Sequence, residues 1–276
     1  MSTAISIGSL KSKEFVCADL RWSTTGVHSI NSRHEGIPGY DDQKAAKANI
    51  FVCGAGGLGG EIVEGGVRKG WGRIMVCDGQ TVELSNLNRQ KFTAADIGRN
   101  KAICLAKNLQ GEGFMGTRVV AVPAFFQDLL ASTGDLSADA VICGVDNDEA
   151  RIAVARFCLQ SGIPAIYTAV SRDTGYGYVF VQEPDGACFG CLKPEAIGNE
   201  IHPCPGVPAT KDILKTVSGI VLYAVDTLIM SRARNWNYRE IQLAGFLPDE
   251  SLRIEKRETC RLCSSATAND NGQQQE

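Results

Sequence analysis

The chain has no surplus of charge in either direction. Its 28 lysines and arginines face 31 aspartates and glutamates, for a net charge of −3, so it carries no basic field to gather nucleic acid or an anionic membrane, and neither is expected as a partner. No apolar run approaches the ~20 residues of a membrane span. The opening MSTAISIGSLKSKEF lacks the apolar stretch of a secretory signal, which places the protein in the cytoplasm as an expectation. Internal repeats are missing too, as is any linker long enough to split the chain into independent domains. What it does have is apolar residues, 44% of 276, which excludes wholesale disorder and suffices for one large core.

Eleven cysteines are also present. In a leaderless chain of this size they read as reduced thiols or metal ligands rather than a disulfide framework. Cys53, Cys77, Cys104, Cys143 and Cys158 lie inside apolar strands or helices, where cysteine is usually a small, inert hydrophobe. Cys188-Phe-Gly-Cys191 and Cys260-Arg-Leu-Cys263 form two CxxC knuckles, which can close a tetrahedral thiolate site around Zn²⁺. The alternative is four free thiols or two redox pairs. Cys204 differs from both groups, standing near His202 in a proline-bounded stretch, Ile-His-Pro-Cys-Pro.

Hydrophobic periodicity predicts alternating strands and helices from residue 48 onward. Strands are expected at Ala48 to Cys53, Gly72 to Asp78, Thr117 to Ala124, Ala138 to Val145 and Pro164 to Ser171, and helices at Glu61 to Lys69, Asn100 to Gln110 and Glu149 to Gln160. Continuous apolar strands separated by helices imply a doubly wound, Rossmann-like α/β domain whose mainly parallel sheet is buried on both faces. Gly177 to Gln182 begins an antiparallel C-terminal extension. A proline-rich passage from Lys193 to Thr210 follows, then a long helix from about Asp212 to Arg232 and two short strands near Glu240 to Ala244 and Ser251 to Lys256. Residues 1–47 read as an arm with a helix around Asp41 to Ala48, residues 48–263 as the domain proper, and residues 264–276 as a disordered tail.

The first strand drops directly into Gly54-Ala-Gly56-Gly57-Leu-Gly59-Gly. Gly54, Gly56 and Gly59 satisfy GxGxxG, in which the glycines permit a tight turn, bare backbone against a phosphate and close packing of helix on sheet. A helix starting near Gly57 would direct its free amides at that phosphate. Asp78 stands 24 positions beyond Gly54, near the ~20 expected of an acid that holds a ribose hydroxyl. Taken alone, these features suit a nicotinamide-dependent oxidoreductase. The residues that follow, Asp-Gly-Gln-Thr-Val-Glu-Leu-Ser-Asn-Leu-Asn-Arg-Gln at 78–90, form a polar cluster with a fixed arginine, which suits a triphosphate better.

With SNLNRQ at 85–90, GRNK at 98–101 and VDNDEAR at 145–151, the chain resembles the MoeB/ThiF/HesA adenylyltransferases, activators of ubiquitin-like and sulfur-carrier proteins. The resemblance covers roughly Gln43 to Cys263. It implies that Gly54, Gly56, Gly57 and Gly59 cradle the phosphates of ATP, that Asp78 holds the ribose, and that Ser85 and Asn86 order the loop. Arg89 and Lys101 would stabilise the α-phosphorus under attack by a carboxylate, and Asp146 would bind Mg²⁺. Asn147 and Arg151 fit equally a helix cap and a packing salt bridge. Relatives carry zinc at the knuckles, and with four protein ligands it would be structural. Some place a thioester- or persulfide-forming cysteine in the region of Cys204. Homodimers in which an arm arginine reaches the partner's site are common in the family, with Arg33, or else Arg21, the candidate here. Gln80 departs from the pattern, which usually has an aspartate there. The expected reaction is adenylation of a small carrier protein's terminal carboxylate. The alternatives are adenylation of a peptide or small-molecule acid in natural-product synthesis, the oxidoreductase, and a non-catalytic partner subunit.

Overall fold

A computed structural model of the chain describes the backbone at residues 6–10 and 13–16, and residues 30–110, 112, 115–133, 136–171, 175–197 and 208–264. It divides into two units, 1–35 and 36–276. In the first, β1 (Ser6–Leu10) pairs with β2 (Lys13–Val16) as an antiparallel hairpin with Leu10 opposite Lys13. A turn near its end is closed by the His34 amide donating to the Asn31 carbonyl at 2.8 Å.

The second unit opens with α1 (Asp42–Lys47), whose free amides at Gln43 and Lys44 are taken by the Asp41 carboxylate. Then come β3 (Asn49–Cys53), α2 (Gly57–Lys69), β4 (Arg73–Cys77), α3 (Lys101–Leu109), β5 (Arg118–Val122), α4 (Phe126–Thr133), β6 (Ala140–Cys143), α5 (Asp148–Ser161), β7 (Ala165–Val170), β8 (Tyr176–Gln182), α6 (Phe189–Leu192), α7 (Lys211–Ile229), β9 (Tyr238–Gln242) and β10 (Glu250–Leu252). One sheet runs in the order β10-β9-β8-β7-β6-β3-β4-β5. β7 through β5 are parallel, and β8, β9 and β10 extend the sheet antiparallel, as the sequence predicts. No helix of the described residues is long and apolar enough to cross a membrane.

Side-chain alternation divides the core. Ile50, Val52, Ile74, Val76, Ile142 and Ile166 face α2, α3 and α7, while Phe51, Cys53, Cys77, Val141, Cys143 and Tyr167 face α4 and α5. α2 and α7 approach closely because α2 is glycine-rich: a Cβ on Gly65 would lie 2.4 Å from the Leu222 side chain. α2 ends at Gly70, whose φ of +74° lets its amide reach the Gly66 and Val67 carbonyls.

The chain leaves β3, adds β4 and β5 on one side, and returns with β6 on the other. The C-terminal ends of β3 and β6 therefore flank a topological switch point, where open α/β sheets bind ligands.

Three expectations need correction. α7 ends at Ile229 rather than Arg232. β9 lies at Tyr238–Gln242 rather than Glu240 to Ala244, because Asp249 accepts the Gln242 amide at 3.0 Å and turns the chain there. β10 covers Glu250–Leu252, not Ser251 to Lys256, since the Asn237 side chain captures both backbone groups of Ile254 at 2.7 and 2.9 Å in place of a ladder. α4 was not foreseen.

Candidate functional site

A cleft of about 900 Å³ lies over the switch point. The turn from β3 into α2 forms its floor. Gly54 makes this turn at a φ of +94°, a left-handed conformation that glycine adopts without strain, and its amide donates to the Cys77 carbonyl at 2.8 Å. At Gly59 the constraint is space rather than torsion, since a Cβ there would meet the Gly54 carbonyl oxygen at 1.9 Å. α2 begins at Gly57, after Gly56, with no side-chain cap. Its first amides and the positive end of its dipole are thus left to the cleft. Gly54, Gly56 and Gly57 line the cleft directly; Gly59 supports them from within.

Asp78 ends the neighbouring strand and braces this turn. One carboxylate oxygen accepts the Ala55 amide and the other the Gln80 amide, both at 2.8 Å. Asn86 accepts from the Glu83 amide at 3.0 Å and closes a single helical turn, with Ser85 beside it. Arg89 is fixed by its own loop, donating to the Ser85 carbonyl at 2.7 Å and the Asn88 side chain at 3.0 Å. Lys101 stands at the first turn of α3, buried, and donates to the Gln80 side-chain oxygen at 2.8 Å. Asp146 follows β6, exposed and without a hydrogen-bond or ion-pair partner among the described residues.

Asp78, Ser85, Asn86, Arg89, Lys101 and Asp146 all line the one cleft, so residues spread over nearly seventy positions meet around the glycine turn. Asn147 and Arg151 take their plainer roles. Asn147 caps α5 by accepting the Ala150 amide at 2.8 Å, and Arg151 pairs with Asp148 at 2.8 Å, although both also border the cleft. Cys204, His202 and Arg21 fall outside the described residues, and Arg33 belongs to the amino-terminal unit. Sequence reasoning missed Phe125, a half-exposed aromatic in the cleft wall whose ring occupies the space where a Gly79 side chain would be, 2.7 Å from an ideal Cβ. The signal was available: an aromatic just past the end of a strand that neighbours the Asp78 strand.

On the opposite face of the sheet from α7, the four knuckle cysteines converge, buried, with all Sγ atoms within 4.8 Å of one another. Cys188 lies 3.8 Å from Cys191 and 3.5 Å from Cys260, and Cys191 lies 3.6 Å from Cys263. These are not disulfide distances. A tetrahedron of thiolates about 2.3 Å from a zinc ion has edges of about 3.8 Å, so the donor set fits that metal. Burial pushes the Cys260 thiol up, but the Cys263 and Leu262 amides outweigh it and bring the thiol down to about 7. Burial raises Cys188 and Cys263 of the same cluster, and three thiols elsewhere in the core. Cys143, wholly buried, is pushed up to about 12, and burial likewise raises Cys53 and Cys158, which keeps them as unreactive thiols.

Residues 31–264 match the sequence pattern of the ThiF family. The chain belongs to the ThiF family. Among relatives of this ThiF-family chain is the Thermus thermophilus "Sulfur carrier protein adenylyltransferase", 30% identical over 197 residues that make up 69% of each chain. The Oryza sativa "Ubiquitin-like modifier-activating enzyme 5" is 31% identical over 166 residues, 55% of this chain and 39% of the rice protein. The chain spans half or less of the length of the first curated relatives it matches. The crystal structure of E. coli MccB with ATP shares the fold at a TM-score of 0.67 and 18% identity, over 80% of this chain and 68% of that one.

Proposed function

We propose that this chain is an adenylyltransferase that binds MgATP in the cleft and activates the C-terminal carboxylate of a small ubiquitin-like or sulfur-carrier protein. The observation that carries the reading is the meeting, in one cleft, of an uncapped helix start behind a glycine turn with Arg89, Lys101 and Asp146. In the reaction, a carboxylate oxygen attacks the α-phosphorus, the bond to the β-phosphate breaks, and pyrophosphate leaves with an acyl-adenylate formed. Lys101 and Arg89 stabilise the charge that builds on the phosphoryl oxygens. Asp146, an exposed carboxylate without a partner among the described residues, would hold the Mg²⁺, which would offset phosphate charge.

Asp78 takes the ribose, and Phe125, just past the end of β5, offers a face to the base. Transfer of the acyl group to the Cys204 thiolate, with AMP leaving, would complete the sequence. Cys188, Cys191, Cys260 and Cys263 hold a structural zinc that keeps the C-terminal segment on the sheet. A homodimer in the cytoplasm, with Arg33 completing the partner's site, belongs to the same reading.

The deciding test is exchange of labelled pyrophosphate into ATP. It is expected only with a cognate carrier and is expected to vanish in Arg89→Ala. Exchange that persists in Arg89→Ala, or that no carrier elicits, overturns the proposal. Exchange driven instead by a peptide or small carboxylic acid would move the substrate to that class.

A further inference from the structure

Among the described residues, Lys101 presents a cation without a counterion. The residue is only 7% exposed, and a buried ion normally finds an opposite charge. Its acceptor at 2.8 Å is instead the neutral amide oxygen of Gln80, and among the described residues Lys101 forms no ion pair. Asp78, two positions before Gln80, accepts the Ala55 and Gln80 amides and forms no ion pair with Lys101.

Gln80 joins the end of β4 to the start of α3 through its backbone. Its carbonyl accepts the Lys101 amide at 2.9 Å and the Asn100 side chain at 3.3 Å. That joint would persist with any side chain at position 80. Among the described residues the amide group is therefore left with one hydrogen bond, from the Lys101 ammonium, which a carboxylate would accept more strongly while cancelling the charge.

We infer that Gln80 is a positioning residue whose neutrality matters: it aims the Lys101 ammonium into the cleft without neutralising it, so that the counterion is the incoming polyphosphate. This rests on the adenylation reading and deepens it, by assigning the affinity for the triphosphate partly to the lack of an acid at position 80. Gln80 and Lys101 both line the cleft beside the glycine turn, so the charge is present where α2 offers its amides.

The test is calorimetric titration of the full chain with inorganic tripolyphosphate and with ATP, together with thermal unfolding of the unliganded protein. In Gln80→Glu the new carboxylate pairs with Lys101, so the melting temperature rises while tripolyphosphate binds about ten-fold more weakly, the size of one charge-assisted contact. Gln80→Ala loses the aim but keeps the charge; it binds tripolyphosphate more tightly than Gln80→Glu and melts no higher than the parent. A residue that merely held the fold together would lower both quantities in both variants, and that outcome overturns the inference. So does Gln80→Glu binding tripolyphosphate as tightly as the parent. Gln80→Asp supplies a second acid if Gln80→Glu fails to fold. A parent protein that binds both ligands yet shows no substrate-dependent exchange defeats the adenylation reading alone, whereas one that binds neither defeats both.

Discussion

Lys211 donates a hydrogen bond of 3.1 Å to the carbonyl oxygen of Arg89, 122 positions earlier in the chain. Lys211 also pairs with the buried Glu61 of α2, which Lys91 approaches at 3.6 Å. The first residue of α7 thus pins the loop that carries Arg89 to the helix that starts at the glycine turn. Lys211→Met is expected to slow pyrophosphate exchange about three- to ten-fold, the effect of one lost hydrogen bond, with a smaller change in ATP affinity. Steady-state kinetics at saturating and limiting ATP separate the two.

Gly59 has no room for a side chain. Gly59→Ala would place its Cβ against the Gly54 carbonyl, so the turn must open or α2 must shift. The expected cost is roughly 1–3 kcal/mol of stability, with nucleotide binding lost beyond that fraction. Urea denaturation and ATP titration report the two effects.

Phe125 lies over Gly79 yet stays 52% exposed in the cleft. If it supports the base, Phe125→Ala should weaken ATP by about 1–2 kcal/mol, as expected for a lost stacking contact, and leave inorganic tripolyphosphate unchanged. Equal weakening of both ligands would place Phe125 elsewhere in the mechanism.

The cysteine cluster predicts about one zinc per chain on elemental analysis, from the usual structural Cys₄ stoichiometry. Cys191→Ser should lose the metal and unfold at lower temperature, while Cys104→Ser, far from the cluster on α3, should retain it. Zinc-free protein with an unchanged melting temperature in Cys191→Ser would contradict the assignment.

Asp96 gives a pH signature. Burial disfavours its charge, but the Thr93 amide and hydroxyl and the Asn108 side chain, at 2.8 to 2.9 Å, outweigh this and hold its carboxyl below the usual value. A carboxyl lowered by folding stabilises the protein above its unfolded value and loses that contribution as the pH falls through the folded one. Asp96→Asn should therefore cost about 1 kcal/mol at pH 7, and the difference should shrink below about pH 4. Denaturation at pH 7 and pH 3 checks the sign.

Legibility followed burial and sequence separation. Strands covered on both faces, such as β3 and β6, appear as unbroken apolar runs, and the glycine turn appears because Gly54 needs a special torsion and Gly59 has no room for a side chain. Both could be read directly. The edge was harder: Glu250, Ser251 and Leu252 are all exposed, so β10 has no apolar face to betray it, and an asparagine side chain imitates its continuation. α4 is short and follows Pro123, and its apolar face is brief. Within the site, Asp78, Arg89, Lys101 and Asp146 were recognisable as a spaced set. Gln80 was visible as a departure, but its contact with Lys101 was not, because that bond depends on how α3 meets β4. The Lys211 contact with Arg89 depends on the whole domain having folded.

A metal held by the four cysteines would also act on the denatured chain. Cys188 and Cys260 are 72 positions apart, and the segment between them contains α7, β9 and β10. Metal held by all four would tie this segment into a closed loop even when nothing else is folded, removing conformational freedom worth about 4 kcal/mol by polymer estimates for a cross-link of this span. Because α7 packs against α2 and contacts the Arg89 loop, chelation would then loosen the cleft at the ends of β3 and β6 as well as the local knuckles.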